Sequence, residues 1–194
     1  MKQAYIFIGR SGCGKGTQVD LLIEQLKKQG RNIFSLETGS KFREFIKGSS
    51  YSNKLAKEIN DKGELQPMFL ALSLWSVDFI ENLKGGEDIV LDGMPRKKDQ
   101  ADVLHSVFEF YDYKKPKVIY INVNREWAEE KLLARGREDD EIENIKRKMN
   151  WFDIDVLPVL DFYKNHGGYE FLEINGNQTV EEVHQEIMDK LSKA

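Results

Sequence analysis

The chain has a single cysteine, Cys13, so it can close no internal disulfide. Its three histidines are scattered and form no zinc-type ligand set with that cysteine. No apolar run is long enough to span a membrane, and the apolar start at residues 4–8 is too short and too soon interrupted for a signal peptide. There is no excess of positive charge: 29 Lys and Arg against 33 Asp and Glu leave a net charge of −4, with both signs mixed along the chain. That balance argues against a dedicated nucleic-acid binder while leaving room for a small basic pocket. Low-complexity stretches and internal repeats are also missing. What remains, 40% hydrophobic and 32% charged residues over 194 positions, is the make-up of one soluble globular domain with small insertions. These exclusions lead us to expect a cytoplasmic enzyme.

Short β-branched or aromatic runs occur at residues 4–8, 33–36, 89–91, 118–121 and 169–174. Between most of them lie segments of helical period. Val19, Leu22, Ile23 and Leu26 form one apolar stripe, Trp127, Leu132 and Leu133 contribute to a second, and Val180, Val183, Ile187 and Leu191 to a third. Strands alternating with helices imply an α/β fold with a doubly wound parallel sheet covered on both faces. Residues 38–67 break the alternation with short helical segments and no strand. Residues 141–165 read as a long helix, kinked or divided at Pro158.

The first apolar run leads directly into Gly9-Arg10-Ser11-Gly12-Cys13-Gly14-Lys15-Gly16-Thr17. Strand, glycine-rich turn and helix in that order aim backbone N–H groups and a helix N-terminus at one point, where a polyphosphate fits. Lys15 then reaches the β- and γ-phosphates. Ile89-Val90-Leu91-Asp92 is a second strand, ending in a carboxylate placed to reach Mg²⁺ through water. Cys13 stands either as a thiol at a helix N-terminus or, more plainly, as a small residue filling the loop.

Gly14-Lys15-Gly16-Thr17-Gln18 resembles the loop of adenylate kinases and their nucleoside monophosphate kinase relatives. Asp92-Gly93-Met94-Pro95-Arg96, with Gln100 four residues on, is similar to a second block of that family, with Met94 in place of an aromatic. Thr38-Gly39-Ser40-Lys41-Phe42-Arg43 and Asp61-Lys62-Gly63-Glu64-Leu65-Gln66 resemble the segments that open and close its monophosphate-binding insertion. Asn175-Gly176-Asn177-Gln178-Thr179-Val180 looks like the loop that rests on the ATP adenine. Together the matches run nearly the full length in the right order.

The resemblance implies a five-stranded parallel core (1–37, 68–134 and 142–194), a monophosphate-binding insertion (38–67) and a rudimentary lid (135–141). It implies ATP as donor, AMP as acceptor, Mg²⁺ and no zinc, in a monomer that binds neither nucleic acid nor membrane. ATP falls to Gly12, Cys13, Gly14, Lys15, Gly16 and Thr17, with Lys131, Arg135 and Gln178. AMP falls to Thr38, Gly39, Arg43, Glu64, Leu65, Gln66, Gly93, Arg96 and Gln100, and the metal to Thr17 and Asp92. Lys15, Arg96, Arg135, Arg137 and Lys148 form the catalytic cationic set. Thr38 and Gln100 favour AMP over UMP or CMP, although Thr38 can instead cap a helix and Gln100 can be a solvated residue. Lys131 and Lys148 stand where the family carries arginine, and Arg147 competes with Lys148 for the inward place. The cut-down lid, Arg135-Gly136-Arg137-Glu138-Asp139-Asp140, leaves open a nucleotide-binding protein with weak catalysis.

Overall fold

A computed structural model describes residues 1–137 and 140–193. Five strands, β1 (Ala4–Gly9), β2 (Ile33–Glu37), β3 (Asp88–Asp92), β4 (Lys117–Asn122) and β5 (Glu170–Asn175), form one parallel sheet in the order β2-β3-β1-β4-β5. The central strands β1 and β3 are nearly all buried, as runs apolar on both faces require. Side chains alternate between two core layers. Ala4, Ile6, Ile8, Ile89 and Leu91 face one way, toward α4 (Met68–Asn82), α5 (Lys98–Phe110) and α8 (Leu157–Asn165). Tyr5, Phe7, Val90, Ile119 and Ile121 face the other, toward α1 (Lys15–Lys28), α6 (Arg125–Arg135), α7 (Ile142–Trp151) and α9 (Val180–Ser192).

Residues 38–67 carry α2 (Thr38–Phe45) and α3 (Tyr51–Asp61) and no strand. A capping box starts α3: the Ser50 hydroxyl accepts from the Asn53 N–H, and the Asn53 amide oxygen accepts from the Ser50 N–H. The segment then docks on α7. Asn144 Nδ2 donates to the Asp61 carbonyl at 3.0 Å and Arg147 donates to the Lys62 carbonyl.

Three helical details differ from the sequence reading. The break within residues 141–165 is a π-helical turn, Phe152–Val156, lying before Pro158. Pro158 then sits in the first turn of α8, where its missing N–H costs little. Leu133 is exposed, because its place beside the buried Leu132 rotates it about 100° away from the core. Val180 is also exposed: its carbonyl, not its side chain, meets α1, accepting from Gln18 Nε2 at 2.8 Å.

Candidate active site

The C-terminal ends of β1, β2 and β3 open into a polar cavity of about 620 Å³. β1 delivers the glycine-rich loop. Gly12 has φ 89°, and a Cβ there would stand 2.5 Å from the Ala128 carbonyl of α6, so only glycine lets the loop lie this close. Gly14 caps α1 in a left-handed conformation. Lys15 opens that helix and donates to the carbonyls of Gly9 at 2.8 Å and Arg10 at 2.9 Å. Cys13 is buried beneath the loop and does not line the cavity. Burial pushes its thiol up, with the Lys15 ammonium opposing, so the small-residue reading holds over the thiolate one.

The adjacent strand ends place Glu37 and Asp92 in register. The Asp92 carboxylate lies 3.8 Å from where a Cβ on Gly16 would be. It makes no hydrogen bond or ion pair with another described residue. Burial raises its pKa, and the Lys15 ammonium opposes that rise. Glu37 Oε1 holds Arg43 Nη2 at 2.7 Å. Arg96 donates from Nε to the Gly93 carbonyl at 2.9 Å and lies under the Trp151 ring. Burial pulls its guanidinium below the ordinary value while Asp92 opposes.

Two side chains from the insertion carry orphaned polar atoms. Thr38 Oγ1 and Gln66 Oε1 are buried without a hydrogen-bond partner among the described residues. Thr38 does not cap α2, whose cap position is Glu37 and has no side-chain bond. Gln100 is not solvated: it is 6% exposed, and its Oε1 accepts from the Arg96 N–H at 2.9 Å.

On the opposite wall, Lys131, Arg135, Arg137 and Lys148 all line the cavity. Lys131 lies over the Trp127 ring at 4.7 Å. Arg135 makes two parallel bonds to Asp140, each 2.8 Å, and Lys148 makes another at 3.0 Å. Arg147 turns outward to the Lys62 carbonyl, leaving Lys148 as the inward member of that pair. Glu138 and Asp139 of the lid segment lie outside the described residues.

Thr17, Gly39, Glu64, Leu65 and Gly93 also line the cavity. Gln178 does not: its amide nitrogen donates to the Asn175 carbonyl and to Glu186. Glu37, Asp20 and Trp151 line the wall without having been singled out from the sequence. Trp151 was legible as the residue three beyond Lys148, on the same helix face. Glu37 was legible as an acidic strand end preceding Thr38-Gly39.

The family model described as Adenylate kinase matches residues 7–168. An adenylate kinase of Prochlorococcus marinus is 34% identical over 192 residues, covering 99% of this chain and 100% of that protein. One from Corynebacterium urealyticum is 30% identical over 188 residues, 97% of this chain and 98% of its own length. Adenylate kinase 1 of Nostoc sp. is 32% identical over 182 residues, 94% of this chain and 95% of its own.

Proposed function

The chain belongs to the adenylate kinase family and is a phosphotransferase, and on that premise we propose that it moves the γ-phosphoryl group of ATP reversibly onto AMP, giving two ADP. The observation that carries this reading is one cavity lined by two stations: the glycine-rich loop with Lys15 and Asp92, and Arg43 and Arg96 with Thr38, Gln66 and Gln100. Division into a core, an insertion at 38–67 and a lid at 135–141 belongs to the same reading. So does a monomer working in the cytoplasm; among the described residues no helix is long and apolar enough to cross a membrane.

Phosphoryl transfer asks a protein for position, charge neutralisation and exclusion of water more than for covalent chemistry. Lys15 exchanges the Gly9 and Arg10 carbonyls for phosphate oxygens of ATP, and the loop N–H groups hold the rest. Arg96, and Arg43 once it leaves Glu37, grip the AMP phosphate with planar forks. The Gln100 oxygen, already oriented by the Arg96 N–H, and its amide nitrogen meet the N6 and N1 edge of adenine. The orphaned Thr38 hydroxyl and Gln66 amide oxygen supply further polar contacts to the same nucleotide.

Asp92 and Thr17 fit a magnesium ion. Both offer hard oxygen donors at the cavity, and Asp92, a mostly buried residue that lines it, has a carboxylate bonded to no other described residue. The ion, when bound, neutralises charge on the β- and γ-phosphates. Among the described residues no three or more His, Cys, Asp or Glu gather into a metal cage. Magnesium held chiefly by phosphates and waters needs none.

A panel assay of ATP with AMP, UMP, CMP and GMP tests the reading. Turnover should be fastest with AMP and should require Mg²⁺. Faster turnover of UMP or CMP would replace the acceptor. The second reading, a nucleotide-binding protein with weak catalysis, draws on Asp140 holding both Arg135 and Lys148. Tight binding of ATP and AMP with negligible turnover of every pair would establish it instead.

A further inference from the structure

The π-helical turn Phe152–Val156 and the tryptophan before it touch both phosphate stations. The Trp151 ring centre lies 5.2 Å from the Arg96 guanidinium carbon, and that of Phe152 lies 4.5 Å from the Arg10 guanidinium carbon. Asp153 Oδ1 is 2.6 Å from Arg10 Nη2, and Asp155 Oδ1 is 3.6 Å from Lys97 Nζ. Arg10 belongs to the glycine-rich loop and its carbonyl accepts from Lys15. Lys97 follows Arg96. Four residues within one short stretch, Trp151, Phe152, Asp153 and Asp155, thus clasp the donor loop and the acceptor arginine together.

Arg10 is the informative member. Its side chain is 14% exposed, and its Nε and Nη1 are buried without a hydrogen-bond partner among the described residues. It does not line the cavity, so it is not placed to touch nucleotide. The groups that compensate its charge are the Asp153 carboxylate and the face of Phe152. A π turn resets which residues share a helix face, and here it lets neighbouring side chains reach two separate loops.

We propose that Asp153 is a positioning residue for phosphoryl transfer: through Arg10 it fixes the glycine-rich loop at a set distance from Arg96, which Trp151 holds, so that donor and acceptor phosphates meet in line. The inference rests on the kinase reading above. Asp153→Asn should lower kcat about 10- to 100-fold, the scale of a small misplacement of reacting groups. KM for ATP and for AMP should stay within about threefold, because neither nucleotide loses a contact. Asp153→Glu keeps the charge and lengthens the reach by one methylene. It should bind ADP with wild-type affinity yet keep kcat at least about fivefold low. Full recovery of kcat in Asp153→Glu would show that the pair only stabilises the fold and would overturn the proposal. So would a wild-type kcat in Asp153→Asn. Should Asp153→Asn not fold, Asp153→Glu and Trp151→Leu carry the test, the latter expected to lose kcat at unchanged KM for ATP. If the wild-type protein transfers no phosphoryl group to AMP, the kinase reading itself fails. Transfer by the wild type with undiminished variants sinks the positioning role alone.

Discussion

Asp140 has a fully buried side chain that takes two parallel bonds from Arg135 and another from Lys148. Burial alone would raise its pKa, but those bonds outweigh it and hold the carboxyl below its usual value. A depressed carboxylate contributes stability that is fully present above the unfolded value near 4 and lost as pH falls through the folded value. Asp140→Asn should therefore cost about 1–3 kcal/mol at neutral pH, less than the roughly 3–5 kcal/mol of a fully buried pair because Arg135 is one-third exposed. That gap should close below about pH 4; urea midpoints of both proteins at neutral and acid pH check it. Lys15→Ala should leave the protein folded and cut kcat by about 10²-fold or more, since Lys15 meets charge that shifts during transfer. Near-wild-type turnover would mean the phosphates lie elsewhere. For Gln100→Asn, which withdraws the proposed base contact and leaves Arg43 and Arg96 in place, preference for AMP over CMP and UMP should fall about fivefold. An unchanged preference would show that Gln100 does not read the base.

Helix α7 presents two neighbouring cations to different tasks. Lys148 lines the cavity while Arg147 reaches the Lys62 carbonyl, as neighbours about 100° apart on a helix must diverge. Alanine at Lys148 should lower kcat with little change in ATP affinity; alanine at Arg147 should raise KM for AMP and spare kcat. The reverse pattern would put Arg147 in the catalytic cavity. Gly63 makes the same docking possible. Its φ is 65°, and a Cβ there would lie 3.0–3.2 Å from Cβ, Cα and the carbonyl oxygen of Asn144. Neither the insertion nor α7 can yield backbone cheaply, so Gly63→Ala should weaken AMP binding and lower the melting temperature together. Helical period showed that residues 141–165 form a helical segment, but it could not show the π turn. Residues 152–156 have helix-forming neighbours on both sides, and the turn buries Phe152 and Val156 while Asp153 and Asp155 meet Arg10 and Lys97, contacts made only in the folded chain.

At the scale of the molecule, the lid proposed at residues 135–141 is very small. Only Gly136 separates Arg135 from Arg137, so little chain is present to close over the cavity. An incompletely covered site admits water, and ATP hydrolysis without AMP should be measurable beside transfer. Phosphate release at background level, under conditions of fast transfer to AMP, would contradict this. Contacts of Asn144 and Arg147 with the Asp61 and Lys62 carbonyls tie residues 61–62 to α7.

The order of amino acids determines by itself the α/β alternation, the five strands and the glycine-rich loop, because each is written in residues close together in the chain. A strand shows in a few β-branched neighbours, and the loop in glycines two or three positions apart. The same locality made Arg43, Asp92, Arg96 and Gln100 legible as candidate contacts. Tertiary structure alone decided the rest. Arg10 and Asp153 stand more than a hundred positions apart, and no local pattern says that a loop guanidinium will be neutralised by a π turn. Asp140 is exposed on paper as one acid in a charged run, yet folding buries it between Arg135 and Lys148. The physical reason is common to both: a charge's partner and its burial are set by which elements pack together, and packing joins residues that the chain keeps apart.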